Sequence, residues 1–232
     1  MDNGPGLSLK EALAICGPLS SPGKMPGRAY ALPAKDCRLG ALLQSVPGTV
    51  CAHCYALRGR YVFPKVSRAM EKRPAGISHP QWVQALTTLI RRSGETHFRW
   101  HDSGDIQNLE HLRKIVAVAL KLFRVKFWLP TREYQTVEAY RRMGGQIPPN
   151  LCIRYSAHRI DGAPPLRYAL PVSTVSSSAD KAPPGAYRCP AKERGNRCGR
   201  CRACWDRRVT IVDFPLKWPS PQPRPKPKRP SD

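Results

Sequence analysis

Phe98-Arg99-Trp100-His101-Asp102-Ser103-Gly104-Asp105 is the stretch on which the fold turns. Its first four residues alternate, with Phe98 and Trp100 on one face and Arg99 and His101 on the other, as in a half-buried strand. A polar turn follows, and then Leu109, Leu112, Ile115, Val116, Ala119, Leu120 and Phe123 recur at helical spacing with charged residues between them. Strand, polar turn and long helix in that order make a βα unit. In sheets built of such units chemistry gathers where the strands end, so Asp102 to Asp105 mark the centre of a site.

Working outward, Val125, Phe127 and Leu129 predict a strand that ends at Pro130, before Thr131-Arg132-Glu133. A helix through Val137 and Tyr140 is stopped by Gly144-Gly145. Leu151, Ile153 and Tyr155 predict another strand, ending at Ser156 and His158, and Ala169 to Val175 one more. Upstream, Arg28 to Pro33 predict a first strand, and Ser78 and Pro80 open a helix with an apolar stripe of Trp82, Val83, Leu86, Leu89 and Ile90. Strands alternating with helices predict an α/β fold: a parallel sheet closed partly or completely into a (βα) barrel.

The strand ends of such a fold bring together Asp102, Asp105, Arg132, Glu133, Ser156, His158 and Thr174. Asp102, Asp105, His101, Arg132 and Glu133 are the catalytic candidates, and Ser103, Gly104 and Asp105 form a candidate cofactor-binding turn. Asp105 has a second reading, as the acceptor that caps the first N–H groups of the long helix.

The chain of 232 residues is long enough for one domain with appendages, at roughly 100 to 200 residues per domain. Residues 1–23 form a lead-in with a short helix from Ser8 to Cys16, residues 24–186 the barrel-like domain, and 187–214 a cysteine-rich metal-binding segment. Residues 215–232 read as a disordered Pro/Lys/Arg-rich tail of polyproline II character, suited to a protein partner or an acidic surface.

Net charge is +23, and removing the tail's five basic and one acidic residues leaves about +19 on the body. A body that basic points to a polyanion, nucleic acid first, against the plainer reading of solvated basic faces. Nothing at the N-terminus resembles a secretory signal, and no run approaches the roughly 18 apolar residues of a membrane span. The expected location is the cytoplasm. Nine cysteines at uneven spacing in a reducing compartment point to metal more than to disulfides.

Cys189, Cys198, Cys201 and Cys204 are the strongest metal signal. Four thiolates suit tetrahedral zinc, whereas successive C-x-x-C-x-x-C spacing also resembles iron-sulfur ligation. Nearby Arg188, Lys192, Arg194, Arg197, Arg200 and Arg202 are placed to offset thiolate charge or to contact phosphate. Cys37, Cys51 and Cys54 form a second group on a stretch broken by Gly40, Pro47 and Gly48. Three cysteine ligands leave one iron of a four-iron cluster open, while Cys16 or Cys152 offers a fourth for a closed site. Cys152, in mid-strand, reads as a buried structural thiol.

Lys24 to Arg28, Val50 to Ala56, Phe98 to Asp105, Trp128 to Glu133 and Cys198 to Asp206 together resemble the bacteriophage family called gene product eighty-eight. The resemblance spans roughly residues 24 to 212 and implies a phage or prophage origin. A more distant resemblance is to radical S-adenosylmethionine enzymes, which have a partial barrel, three cysteines after the first strand and a Gly-Gly-Glu-like turn after the second. Here Ser103-Gly104-Asp105 stands at that turn. The first cysteine gap is thirteen residues instead of three, and Tyr55 follows the last cysteine instead of preceding it. Such changes leave cluster binding more readily intact than cofactor cleavage.

A third resemblance, at the level of fold, is to the transglycosylases that exchange guanine for a deazaguanine, and it implies Asp102 as nucleophile with Asp105 recognising the base. Trp100, Trp128 and Tyr155 are base-stacking candidates whose plainer role is core packing.

The reading that unites these features is a phage-type metal enzyme, iron-sulfur and radical-type, that modifies or processes nucleic acid with S-adenosylmethionine as its candidate cofactor. The alternatives are a base transglycosylase with a structural zinc and a non-enzymatic, zinc-stabilised nucleic-acid-binding protein. The metal, DNA versus RNA, and the oligomeric state are open at this stage.

Overall fold

A computed structural model describes residues 6–217. Seven strands form one sheet: β1 Arg28–Tyr30, β2 His97–Trp100, β3 Lys126–Thr131, β4 Leu151–Ser156, β5 Val172–Ser176, β6 Tyr187–Arg188 and β7 Ile211–Pro215. Their order is β1-β2-β3-β4-β5-β7-β6 and every neighbouring pair is parallel. The α/β class and the parallel sheet follow the sequence reading. The complete barrel does not form, because β1 and β6 are two separate edges. Ser20 pairs antiparallel with Ala29 along the free side of β1, and β6 is only two residues long, so neither edge exposes a long ladder.

Helices fill the crossovers: α1 Leu9–Cys16, α2 Arg38–Gln44, α3 Pro64–Glu71, α4 Arg73–Ile77, α5 Trp82–Ser93, α6 Leu109–Lys121 and α7 Tyr134–Arg142. The alternation predicted for β2 holds. Phe98 and Trp100 join Phe127, Leu129, Ile153 and Tyr155 in the main core, under α5, α6 and α7. Phe98 meets Trp100 and Phe127 edge-on at 5.3 and 5.7 Å, and burial of each such ring contributes about 2–3 kcal/mol. Leu120 and Phe123, read as part of the α6 stripe, are exposed instead.

The other face is covered by the cysteine-rich segment. Trp128 and Val212 pack with Cys204 and Trp205, and the Trp205 indole donates to the Phe98 carbonyl at 2.9 Å. Arg154 stands on that face of β4, fully buried, and donates to the carbonyls of Val172, Val209, Ala203 and Asp206. Its guanidinium thus pins residues 203–209 to the sheet.

Residues 187–214 are part of the same body, since β7 inserts between β5 and β6. So is the lead-in. Ser8 caps α1 in a reciprocal capping box with Glu11, and Ala12 and Cys16 lie in the main core. Pro215, assigned by sequence to the tail, ends β7. The Pro-rich tail itself lies outside the described residues. No helix among the described residues is long and apolar enough to cross a membrane.

Candidate active site

At the C-terminal ends of the strands a cavity of about 500 Å³ is lined by Cys37, Cys51 and Cys54 on one side and Cys189, Cys198 and Cys204 on the other. Asp102, Ser103, Gly104 and Asp105 form its floor. Two cysteine groups 135 positions apart, counting from Cys54 to Cys189, therefore face one space.

The floor begins with a break in the strand. His101 has φ of 53°, in the left-handed region, and the alternation ends there. Its ring lies 6.1 Å from Trp100 and 5.3 Å from His111, both nitrogens unpartnered, and burial holds it well below the ordinary histidine range. Sequence put His101 on the Arg99 face as a catalytic candidate. The structure turns its ring toward α6, and the residue also lines the cavity. Gly104 follows with φ of 86°, and a Cβ there would stand 2.5 Å from that of Leu32, so only glycine allows this close crossing.

Asp102 is buried, and the Tyr61 hydroxyl donates to its Oδ2 at 3.1 Å while the Tyr55 hydroxyl donates to its carbonyl at 2.6 Å. Its Oδ1 has no partner among the described residues, nor has the buried Ser103 Oγ. Burial raises the Asp102 pKa above the usual carboxylate range, opposed by the Arg99 guanidinium. Arg99 itself donates to Tyr55 Oη at 3.1 Å and lies 4.4 Å from the centre of the Trp128 ring. The result is a floor with one carboxylate oxygen and one hydroxyl available to a ligand.

Asp105 plays a different part. Its Oδ1 accepts from the Thr131 hydroxyl at 2.6 Å and from Ile106 N at 2.7 Å, and its Oδ2 from Arg132 N at 2.9 Å. The helix-capping reading is overturned, since Asn108 caps α6 by accepting from His111 N at 2.8 Å. Asp105 ties the end of β2 to the end of β3, and burial pushes its pKa up to about 6 despite three donors.

Of the remaining strand-end candidates, Arg132 and Ser156 line the cavity. Glu133 does not: its carboxylate accepts from Leu39 N at 2.9 Å and so holds the first turn of α2, next to Cys37. His158 stacks on Tyr134 at 4.7 Å, and Thr174 donates to the fully buried Asp213 at 2.8 Å. Trp100 and Tyr155 are core residues, which leaves Trp128 as the candidate of the three that meets the cavity.

Backbone pairing places the first cysteine group. Thr49 Oγ1 donates to the Leu43 carbonyl at 2.6 Å and accepts from Ala52 N at 3.1 Å, and Val50 N donates to the His158 carbonyl. A Cβ added at Gly40 would lie 3.5 Å from Cys37 Sγ and 3.7 Å from Cys51 Sγ, so this glycine keeps open the space between two thiols. Burial pushes the Cys37 and Cys51 thiols up, with Arg132 pulling the other way.

Cys189 is placed by the bond from its N to the Asp213 carbonyl at 2.8 Å, beside the Arg188–Asp213 ion pair, and Cys198 by donation from its N to the Lys24 carbonyl at 2.8 Å. Cys201 Sγ lies 3.3 Å from the Tyr187 hydroxyl. Burial pushes the Cys204 thiol up to about 12 against the pull of Arg154 and Arg99. The cations that pull the Cys198 and Cys204 thiols down are Lys24, Arg99 and Arg154, whereas Arg188 is spent on Asp213. Cys16 and Cys152 are buried away from the cavity and complete neither group. Among the described residues no three His, Cys, Asp or Glu side chains stand close enough to share a single ion.

Sequence reasoning missed Arg99, Tyr55 and Tyr61 around Asp102. Tyr55 adjoins Cys54, and Arg99 is the polar position of β2 before the strand end, which were the signals present. Searches of curated proteins and of solved structures gave no match. The sequence profile of one family spans residues 10–207, taking in α1, every strand but β7 and both cysteine groups, and by that match the chain belongs to the gene product 88 family.

Proposed function

We propose that this protein is an iron-sulfur enzyme that modifies nucleic acid, with Cys37, Cys51 and Cys54 holding one cluster and Cys189, Cys198, Cys201 and Cys204 a second. The observation that carries the reading is the convergence of six of these thiols and the buried Asp102 on one cavity. Two sulfurs on one zinc stand within about 4.6 Å of each other, twice the Zn–S bond, whereas cluster thiolates each bind a different iron and stand farther apart. That no three His, Cys, Asp or Glu side chains among the described residues stand close enough to share a single ion fits the wider spacing.

When bound, a cluster with an open iron supplies redox chemistry to a cofactor such as S-adenosylmethionine. The chain's own groups do the rest. Arg132, beside Cys37 and Cys51, offsets thiolate charge. The free Oδ1 of Asp102 and the Ser103 hydroxyl accept hydrogen bonds from an amino or hydroxyl group of the ligand. Asp105 keeps the floor rigid by joining two strand ends. Lys24, Lys192, Lys217 and Arg99 line the cavity and make it receptive to an anionic substrate.

The test is iron and acid-labile sulfide analysis, with absorption and electron paramagnetic resonance spectra, on protein purified without oxygen. Sulfide-containing iron that falls when Cys37, Cys51 and Cys54 are replaced by Ala supports the reading. Zinc alone, with no sulfide, refutes it and leaves base exchange by Asp102 as the reading to pursue.

A further inference from the structure

Beside the cavity, the chain from Tyr55 to Met70 carries Arg58, Arg60, Lys65 and Arg68 and no acidic residue. All four cations are exposed, and none has an acidic partner within 4 Å among the described residues. Apolar side chains interleave with them: Phe63 is 57% exposed and Val62 55%. The segment is anchored to the floor of the site, because Tyr55 and Tyr61 both donate to Asp102. Exposed apolar surface rimmed by charged side chains is the character of an interaction site.

We infer that residues 55–68 form a surface for single-stranded nucleic acid, in which Phe63 stacks a base, Arg58, Arg60 and Lys65 hold phosphates, and the neighbouring nucleotide enters the cavity above Asp102. This rests on the proposed function for its substrate and adds the strand state and the contact residues. Charge sets the class of partner, since the surface is uniformly basic and the chain carries +23. The exposed ring sets the strand state: in a duplex the base faces are already stacked, whereas a single strand offers them to an aromatic side chain. Depth points the same way. Asp102 is 5% exposed, so a base or sugar reaches it only outside a base stack.

The experiment is fluorescence-anisotropy titration of the full chain, purified without oxygen, with a labelled 20-nucleotide single strand in DNA and RNA form and with the matching duplex, at several salt concentrations. Phe63→Ala is expected to weaken single-strand binding about 5- to 100-fold with the salt slope unchanged, and Phe63→Trp to restore it. Joint replacement of Arg58, Arg60 and Lys65 by Ala is expected to reduce the slope of log K against log salt by about 2, from about 0.7 for each phosphate contact. Circular dichroism melts check that the variants are folded. Duplex bound as tightly as single strand, or single-strand affinity indifferent to Phe63→Ala, overturns the inference. Metal content is measured on the same samples, so iron-free protein that still binds single strands through Phe63 refutes the iron-sulfur reading and leaves this surface standing.

Discussion

Replacing Arg154 by Met tests how the cysteine-rich segment is held. Arg154 is fully buried, and its four closest bonds run to carbonyls at 2.8, 2.9, 3.2 and 3.0 Å, three of them on residues 203–209. Bonds to a charged donor are worth about 1.5–3 kcal/mol each before the cost of burying that charge is subtracted. Methionine restores the volume, removes the buried charge and takes one donor from each carbonyl, those of Ala203 and Asp206 keeping the backbone donors Asp206 N and Val209 N. The net loss is expected to be about 2–4 kcal/mol, from about 1–3 kcal/mol for each buried carbonyl left short of a donor less the cost of burying the guanidinium. Urea denaturation measures it. Hydrogen exchange should show residues 203–209 losing protection first, and under the proposed function metal bound at Cys189, Cys198, Cys201 and Cys204 should fall while that at Cys37, Cys51 and Cys54 persists. Lysine, with one nitrogen in place of a fork, should recover only part of the loss. A Met variant within about 1 kcal/mol of wild type, with 203–209 still protected, would refute this account of the anchoring.

Under the proposed function Gly40→Ala should lower the iron content of the first cysteine group by half or more, since the new methyl enters between Cys37 and Cys51, while helix propensity in α2 offsets up to about 1 kcal/mol of strain; iron analysis beside a thermal melt checks both parts. The Asp105 pKa is raised on folding from 3.8 to about 6, so its contribution to stability is present below pH 3.8 and is lost as pH rises through about 6. The stability difference between wild type and Asp105→Asn should therefore move against wild type by about 3 kcal/mol between pH 3.5 and 7, read from urea midpoints across that range. Asp102→Asn should fold with stability within about 1 kcal/mol of wild type, because it removes a buried charge and keeps an acceptor for Tyr61. Under the proposed function it should also abolish the mass-shifted nucleoside that wild type produces from an oligonucleotide, as seen by mass spectrometry.

Period and punctuation made most of the fold legible. β2, β3, β4 and β5 lie where alternating apolar residues stop at polar turns, and α5, α6 and α7 where apolar stripes recur at helical spacing. β6 and β7 escaped notice because Tyr187–Arg188 is too short to show alternation and Ile211–Pro215 ends in the proline that resembled the start of the tail. The candidate site was legible as residue types and less so as roles. Asp102 and Asp105 are three residues apart in one turn, yet one leaves an oxygen free and the other spends both on donors from Thr131, Ile106 and Arg132. Glu133 and His158 stand at strand ends as expected, but their side chains turn to Leu39 N and Tyr134.

The sequence by itself determined the local elements, the basic balance and the two sets of closely spaced cysteines, because each is a property of neighbouring residues. Tertiary structure alone decided that both sets face one cavity, that the sheet stays open, and that the cysteine-rich segment covers its second face. Those outcomes depend on partners far apart in the chain, such as Arg154 with Ala203 and Trp205 with Phe98, and no local pattern encodes them. The role of each carboxylate was settled in the same way, by which donors the folded chain brings within reach and which oxygen it leaves without one.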